Sequence, residues 1–337
     1  MSETYRAIKL NRFADTFRAA GDIETIDGRD PGPGEIAVRN LHCGINGIFD
    51  TQVARNAVDY VSVRLPSFTG VEAAGIVEAV GDGAPFAVGD AVATVRFTGG
   101  YRERNTAPAT NFAALPEASR VWLALASSGV SAKLALDHVG DAQPGETVIV
   151  SAAAGGLGHL IVQLALLRGC HVVAVAGGPR KTAFLRSLGA HRVIDYKTER
   201  IGEVLADEYF DRIDVAIDSV GGELFDAYLD NLAQHGRLVV AGAAQDMAGK
   251  PGASIEAKVI DKLYYKGASV RGFMNGLLTD HWSAARADVF RLHAEGKLSV
   301  TFDEQPFKGL PQVYDAVERL LSGQSMGKVM VDLYPET

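Results

Sequence analysis

The segment Thr147-Val148-Ile149-Val150-Ser151-Ala152-Ala153-Ala154-Gly155-Gly156-Leu157-Gly158 constrains this chain more than any other. Its apolar start is the pattern of a strand buried on both faces. From Gly156 to Arg168, residues Leu157, Leu160, Ile161, Leu164 and Leu167 recur at helical spacing. A glycine loop between a buried strand and a helix suits one chemistry well. The turn is tight, a Cβ would obstruct an approaching pyrophosphate, and the N–H groups of the helix start face an anion. The motif predicts a dinucleotide site built on Ala154, Gly155, Gly156, Leu157 and Gly158, with a purely structural turn as the alternative.

The surrounding rhythm extends this reading. Further buried strands are expected at His171–Ala176, Arg192–Ile194, Ile213–Asp218, Gly236–Gly242 and Ala268–Phe273, with a helix around Lys181–Leu188. Strands alternating with helices mean a parallel sheet covered on both faces. The first ~120 residues differ, with short strands and frequent turns that suggest a barrel-like β domain. After Phe273 the spacing predicts helices over Asp280–Glu295 and Pro311–Ser322, then a strand over Gly327–Leu333. The fold class is α/β with a separate β-rich domain, and 337 residues suit about two domains.

The end of the second strand of the parallel sheet chooses between cofactors. An NAD site usually places Asp or Glu there, about 20 residues after the glycine loop, to accept from the ribose hydroxyl. Here the chain reads Val175-Ala176-Gly177-Gly178-Pro179-Arg180-Lys181, with no acid and two cations. A 2′-phosphate would find Lys181 or Arg180, so NADPH is the expected cofactor. Ser219, Val220 and Gly221 come after a buried strand at the carboxyl edge of the sheet, where ligands bind in such folds.

Composition narrows the partners. A net charge of −8 argues against an electrostatic grip on nucleic acid or anionic lipid. Two cysteines, Cys43 and Cys170, make no disulfide scaffold and fit a reducing compartment. Glycines and several polar residues break the most apolar stretch, Val148–Gly178, and the N-terminus shows no apolar leader. A soluble, cytoplasmic protein is expected.

Taken together, these residues resemble the medium-chain dehydrogenase/reductase superfamily. Gly44-Ile45-Asn46 with Asp50, Gly70 through Val77, and Val88-Gly89-Asp90-Ala91-Val92 look like motifs of its GroES-like catalytic domain. Ala152 through Gly158 with Gln163 is similar to the cofactor loop of its quinone oxidoreductase and enone reductase branch. Phe184 through Ala190, Asp195 through Glu199, Asp218 through Gly222, Ser269 through Phe273 and Gly327-Lys328-Val329 add to the match. The resemblance implies a GroES-like domain from residues 1–125 and 276–337, and an inserted Rossmann domain from 126–275. It also implies a homodimer through Rossmann edge strands. Asn46 would bond the nicotinamide ribose and Tyr196 the adenosine side, and the implied cofactor set takes in Gly177, Gly242, Phe273 and Ser325.

Alcohol dehydrogenases of this superfamily hold zinc with Cys and His. At the resembling positions stand Asn46 and Val71, and Ser128-Gly129-Val130-Ser131 carries no thiol. The pairs His42-Cys43 and Cys170-His171 lie in or beside strands, where adjacent side chains point to opposite faces. No metal is expected. Without a Lewis acid, conjugate reduction is the chemistry that asks least. The hydride goes to the β-carbon of an enone, or to a quinone, and hydrogen bonds meet the charge on oxygen. Tyr60 is the candidate proton donor, with Tyr264 and Tyr265 as further substrate-side candidates. A non-catalytic NADPH-binding sensor or structural protein of the same fold is the alternative.

Overall fold

The computed structural model describes residues 4–58, 62–242, 244 and 259–334. It divides into two compact units, Met1–Ser127 with Phe302–Thr337, and Ser128–Thr301. In the first unit run β1 (Thr4–Leu10), β2 (Gly21–Asp27), β3 (Glu35–Gly44), β4 (Ser67–Phe68), β5 (Glu72–Val80), β6 (Ala91–Thr94), β7 (Arg104–Pro108) and β8 (Phe112–Ala114). The order β2-β1-β4 makes one small sheet. In the larger sheet β3 pairs antiparallel with both β5 and β7, and β5-β6-β8 continue it. Ile36, Val38, Val77, Val92 and Phe112 gather into a buried cluster on this sheet.

The second unit carries β9 (Thr147–Val150), β10 (His171–Ala176), β11 (Arg192–Asp195), β12 (Ile213–Asp218), β13 (Leu232–Val240) and β14 (Ser269–Gly272). All six are parallel, in the order β11-β10-β9-β12-β13-β14. Val148, Ile149 and Val150 are fully buried, as are Val172, Val173 and Ala174, which is why these strands read as unbroken apolar runs. Neighbouring strands continue outward from β9 on one side and from β12 on the other. The sheet therefore changes direction between them, at the point where open α/β sheets bind ligands.

The chain returns to the first unit later than residue 276. The helix Trp282–Ala294 belongs to the second unit, where Lys133 pairs with Asp288 at 2.6 Å and Asn275 bonds Ser131 at 3.0 Å. Ser299 and Thr301 are likewise bonded to Gln163 and His159, so the crossing falls at Phe302. Beyond it, the helix Val313–Leu321 puts Val313 and Val317 into a core with Ile8, Leu10 and Phe17. The last strand, β15 (Met330–Asp332), pairs antiparallel with β3. Among the described residues, no helix is long and apolar enough to cross a membrane.

Candidate active site

The second unit presents a cradle at the carboxyl ends of its strands. After β9 the loop turns through Ala152, whose φ is 45°, and Ala153 N–H donates to Val175 O on β10 at 3.0 Å. The helix Gly158–Leu167 then starts directly on this loop. A Cβ at Gly158 would lie 2.5 Å from Ala152 O and 2.7 Å from Ala153 Cα, so no side chain fits there. No side chain caps this helix, and the His159 and Leu160 N–H groups turn back to Gly155 O and Leu157 O, each at 3.2 Å.

Behind the loop stands His159, fully buried. Its Nδ1 donates to Gly155 O at 2.7 Å, and its Nε2 accepts from Thr301 N–H at 3.0 Å. These partners fix the neutral tautomer, and burial lowers the imidazole pKa to about 4. Gln163, one turn on, bonds Ser299 through both ends of its amide. Loop and helix are thus anchored to the 299–301 segment, a role that nothing in the local sequence around His159 announced.

At the end of β12, Asp218 is buried and shapes the adjoining loop. Its Oδ1 accepts from Ser151 Oγ at 2.8 Å and from Val220 N–H at 2.9 Å, and its Oδ2 accepts from Gly221 N–H at 3.0 Å. Ser219 N–H donates to Ser151 Oγ at 2.8 Å. The Ser219–Gly221 loop is therefore held beside the glycine loop, and Gly242 lies against Ser219. Phe273, just past β14, donates its N–H to Val240 O at 2.9 Å and extends the sheet.

At the end of β10 a second group of expected residues meets. The Tyr196 ring lies over Gly177, where a Cβ would meet its Cζ at 2.5 Å. Arg180 and Lys181 open the helix Pro179–Ser187. A carboxylate does reach this corner from β11: Asp195 Oδ1 accepts from Gly178 N–H at 2.9 Å and from Lys197 N–H at 3.0 Å. It holds backbone.

In the first unit, Asn46 stands between β3 and the helix Gly47–Ala54. Its Nδ2 donates to Glu72 Oε1 at 2.8 Å, and Lys328 Nζ lies 2.5 Å from the same oxygen. One turn along the helix, buried Asp50 accepts from Tyr101 Oη at 2.5 Å. Burial pushes the Asp50 carboxyl up to about 7, against the opposing pull of the Tyr101 hydroxyl. Ser325 is half-buried near Lys328. Glu72 and Lys328 were legible as motif letters, yet their pairing with Asn46 was not.

Other expected residues stand apart. Tyr60 lies outside the described residues. Tyr264 and Tyr265 are each 79% exposed, packed edge-on against one another at 5.3 Å. His42 Nδ1 bonds Asp332 Oδ1 at 2.8 Å, and Arg120 pairs with the same carboxylate. Cys43 is fully buried with its thiol pKa pushed up by burial, while Cys170 Sγ donates to Gln143 O at 3.4 Å. Among the described residues, no three His, Cys, Asp or Glu side chains gather as a metal site.

Residues 32–117 match the family described as alcohol dehydrogenase GroES-like domain, and residues 156–291 the family described as zinc-binding dehydrogenase. The chain is 36% identical to prostaglandin reductase-3 of Mus musculus over 90% of this chain and 82% of that protein. The chain belongs to the medium-chain dehydrogenase/reductase superfamily. Within it, the relatives fall in the quinone oxidoreductase and enone reductase branch. A probable quinone oxidoreductase of Leishmania amazonensis is 33% identical over 82% of this chain and 83% of its own. Escherichia coli quinone oxidoreductase, solved in complex with NADPH, superposes with a TM-score of 0.83 at 27% identity, covering 98% of this chain and 100% of that one.

Proposed function

We propose that this protein is an NADPH-dependent oxidoreductase that reduces the C=C bond of α,β-unsaturated ketones, or quinones, without zinc. The observation that carries the reading is the cradle on the parallel sheet. The helix start has no side-chain cap and no room for a side chain at Gly158, and it lies beside a second loop shaped by Asp218. These features fit a pyrophosphate and the nicotinamide half beyond it. Family membership and the NADPH complex of a structural relative support the same cofactor.

The residues divide the work. The glycine loop Ala154–Gly158 would hold the pyrophosphate, and Lys181 with Arg180 would read the 2′-phosphate, with Tyr196 and Gly177 beside the adenosine. Ser219, Val220, Gly221, Gly242 and Phe273 line the nicotinamide side, and Asn46 and Ser325 are further cofactor contacts in this reading. Bound NADPH supplies the hydride. Positioning is the main contribution of the protein, because a hydride moves efficiently only from a near-attack geometry. Tyr60 is the proposed donor to the substrate oxygen.

Zinc independence rests on donor chemistry. Asn46 and Val71 occupy the positions that would carry ligands, and the Lys328 ammonium lies 3.4 Å from Asn46 Oδ1. A divalent cation at Asn46 would face that buried positive charge. A homodimer through edge strands of the parallel sheet and a cytoplasmic location belong to the same proposal.

NADPH oxidation with a panel of enones, quinones, saturated ketones and alcohols tests the activity. Turnover of enones to saturated ketones is the expected result. An allylic alcohol as product means that hydride reached the carbonyl carbon, and binding without turnover of any acceptor favours a non-catalytic protein. Dialysis against a strong chelator should leave the activity intact; loss restored by zinc overturns the metal-free mechanism.

A further inference from the structure

Asn46 occupies the N-cap of the helix Gly47–Ala54, where an asparagine side chain ordinarily accepts from backbone N–H groups of the first turn. It makes no such bond. Its amide is turned to a buried ion pair instead, formed by Glu72 on β5 and Lys328 just before β15. Nδ2 donates to Glu72 Oε1 at 2.8 Å, and Oδ1 accepts from Lys328 Nζ at 3.4 Å. The same ammonium donates to Glu72 Oε1 at 2.5 Å and to Ile45 O at 3.2 Å. All three of its protons are in use.

This arrangement admits one orientation of the amide. Half a turn would set Oδ1 against a carboxylate and Nδ2 against an ammonium, exchanging two attractive contacts for two repulsive ones. In the favoured orientation Asn46 keeps one N–H and one oxygen lone pair for another partner. Stability alone is a poor account of the pair. Glu72 is fully buried and Lys328 is 4% exposed, and desolvation of such ions often cancels their attraction. Glu72 also uses a single oxygen for both neighbours, while Oε2 is buried with no partner among the described residues.

We propose that Glu72 and Lys328 are positioning residues that lock the Asn46 amide so that one N–H and one oxygen face the nicotinamide ribose of NADPH. The inference rests on the reading of Asn46 as a ribose contact. The two ions act only through this amide.

The test compares the dissociation constants of NADPH and of 2′,5′-ADP by calorimetry, because their ratio isolates the nicotinamide half. Five forms are needed: Asn46→Ala, the double variant Glu72→Gln/Lys328→Met, their combination, Glu72→Gln alone, and Glu72→Gln in the Asn46→Ala background. Removing both charges together avoids stranding one of them, and thermal melts establish that each form is folded. Asn46→Ala should weaken NADPH about threefold to tenfold relative to 2′,5′-ADP. The double variant should lose a comparable factor, and the combination no more than Asn46→Ala alone. Should the double variant fail to fold, Glu72→Gln retains the shape and must show a loss that vanishes in the Asn46→Ala background. A parental ratio in the ion-pair variants, or losses that multiply in the combination, overturns the positioning role while leaving Asn46 its contact. An unchanged ratio in Asn46→Ala overturns the ribose contact itself, and the positioning role with it.

Discussion

Arg180 and Lys181 open the helix after β10, and the turn before them carries no carboxylate of its own. The acid that reaches this corner, Asp195, is bound to two backbone N–H groups. A charge-assisted contact to a 2′-phosphate is worth about 1.5–3 kcal/mol, roughly ten- to 150-fold in affinity. Lys181→Ala should therefore raise the Michaelis constant for NADPH by such a factor and leave that for NADH nearly unchanged. An equal effect on both cofactors would show that Lys181 does not read the phosphate. These cations were visible in the sequence because they come directly after the strand. His159 and Lys328 were not, since their partners lie far along the chain. Thr301 is 142 residues from His159, and Glu72 is 256 from Lys328. Side-chain type says nothing about such meetings until the fold makes them.

Among elements, the strand–loop–helix from β9 to Leu167 was the most legible, because periodicity and glycine placement agree there. The stretch Arg120–Val139 was the least. It forms one helical run with π turns at Leu125–Gly129 and Leu134–Val139, and small residues dilute its apolar spacing. The helix Trp282–Ala294 is legible as a helix, but its spacing does not reveal that it packs in the second unit, since periodicity gives a face and not its partner. The legible loop yields a sharp expectation. In Gly158→Ala the new methyl would meet backbone at 2.5 Å, and overpacking of this kind costs about 1–3 kcal/mol. The variant should unfold at lower urea and bind NADPH at least about tenfold more weakly. Gly202→Ala is the control, because nothing lies within 4 Å of its Cβ position, and it should be neutral or slightly stabilising. Similar behaviour of the two variants would remove the close approach at Gly158 from the account.

Among the groups that tie the stability of the whole molecule to pH, two buried ones, one in each unit, pull in opposite directions. In the first unit the Asp50 carboxyl titrates at about 7 when folded, and near 3.9 when unfolded. Between these values the folded chain holds a proton that the unfolded chain has released, so Asp50 lowers stability as pH rises from about 4 to about 7. In the second unit His159 titrates at about 4 when folded, against ~6.5 when unfolded. Across that window the unfolded chain holds the extra proton, so His159 raises stability as pH rises and withdraws it as pH falls. Each effect amounts to about 3–4 kcal/mol, and between pH ~4 and ~6.5 they largely cancel. Asp50→Asn removes the falling contribution and keeps an oxygen for the Tyr101 hydroxyl. Relative to the parent, this variant should gain several kcal/mol of unfolding free energy in urea between about pH 4 and pH 7.5. Its own profile should then expose the rise contributed by His159. A difference from the parent that stays constant across this range would mean that Asp50 ionises normally in the folded protein, and that its burial with Tyr101 does not hold it neutral.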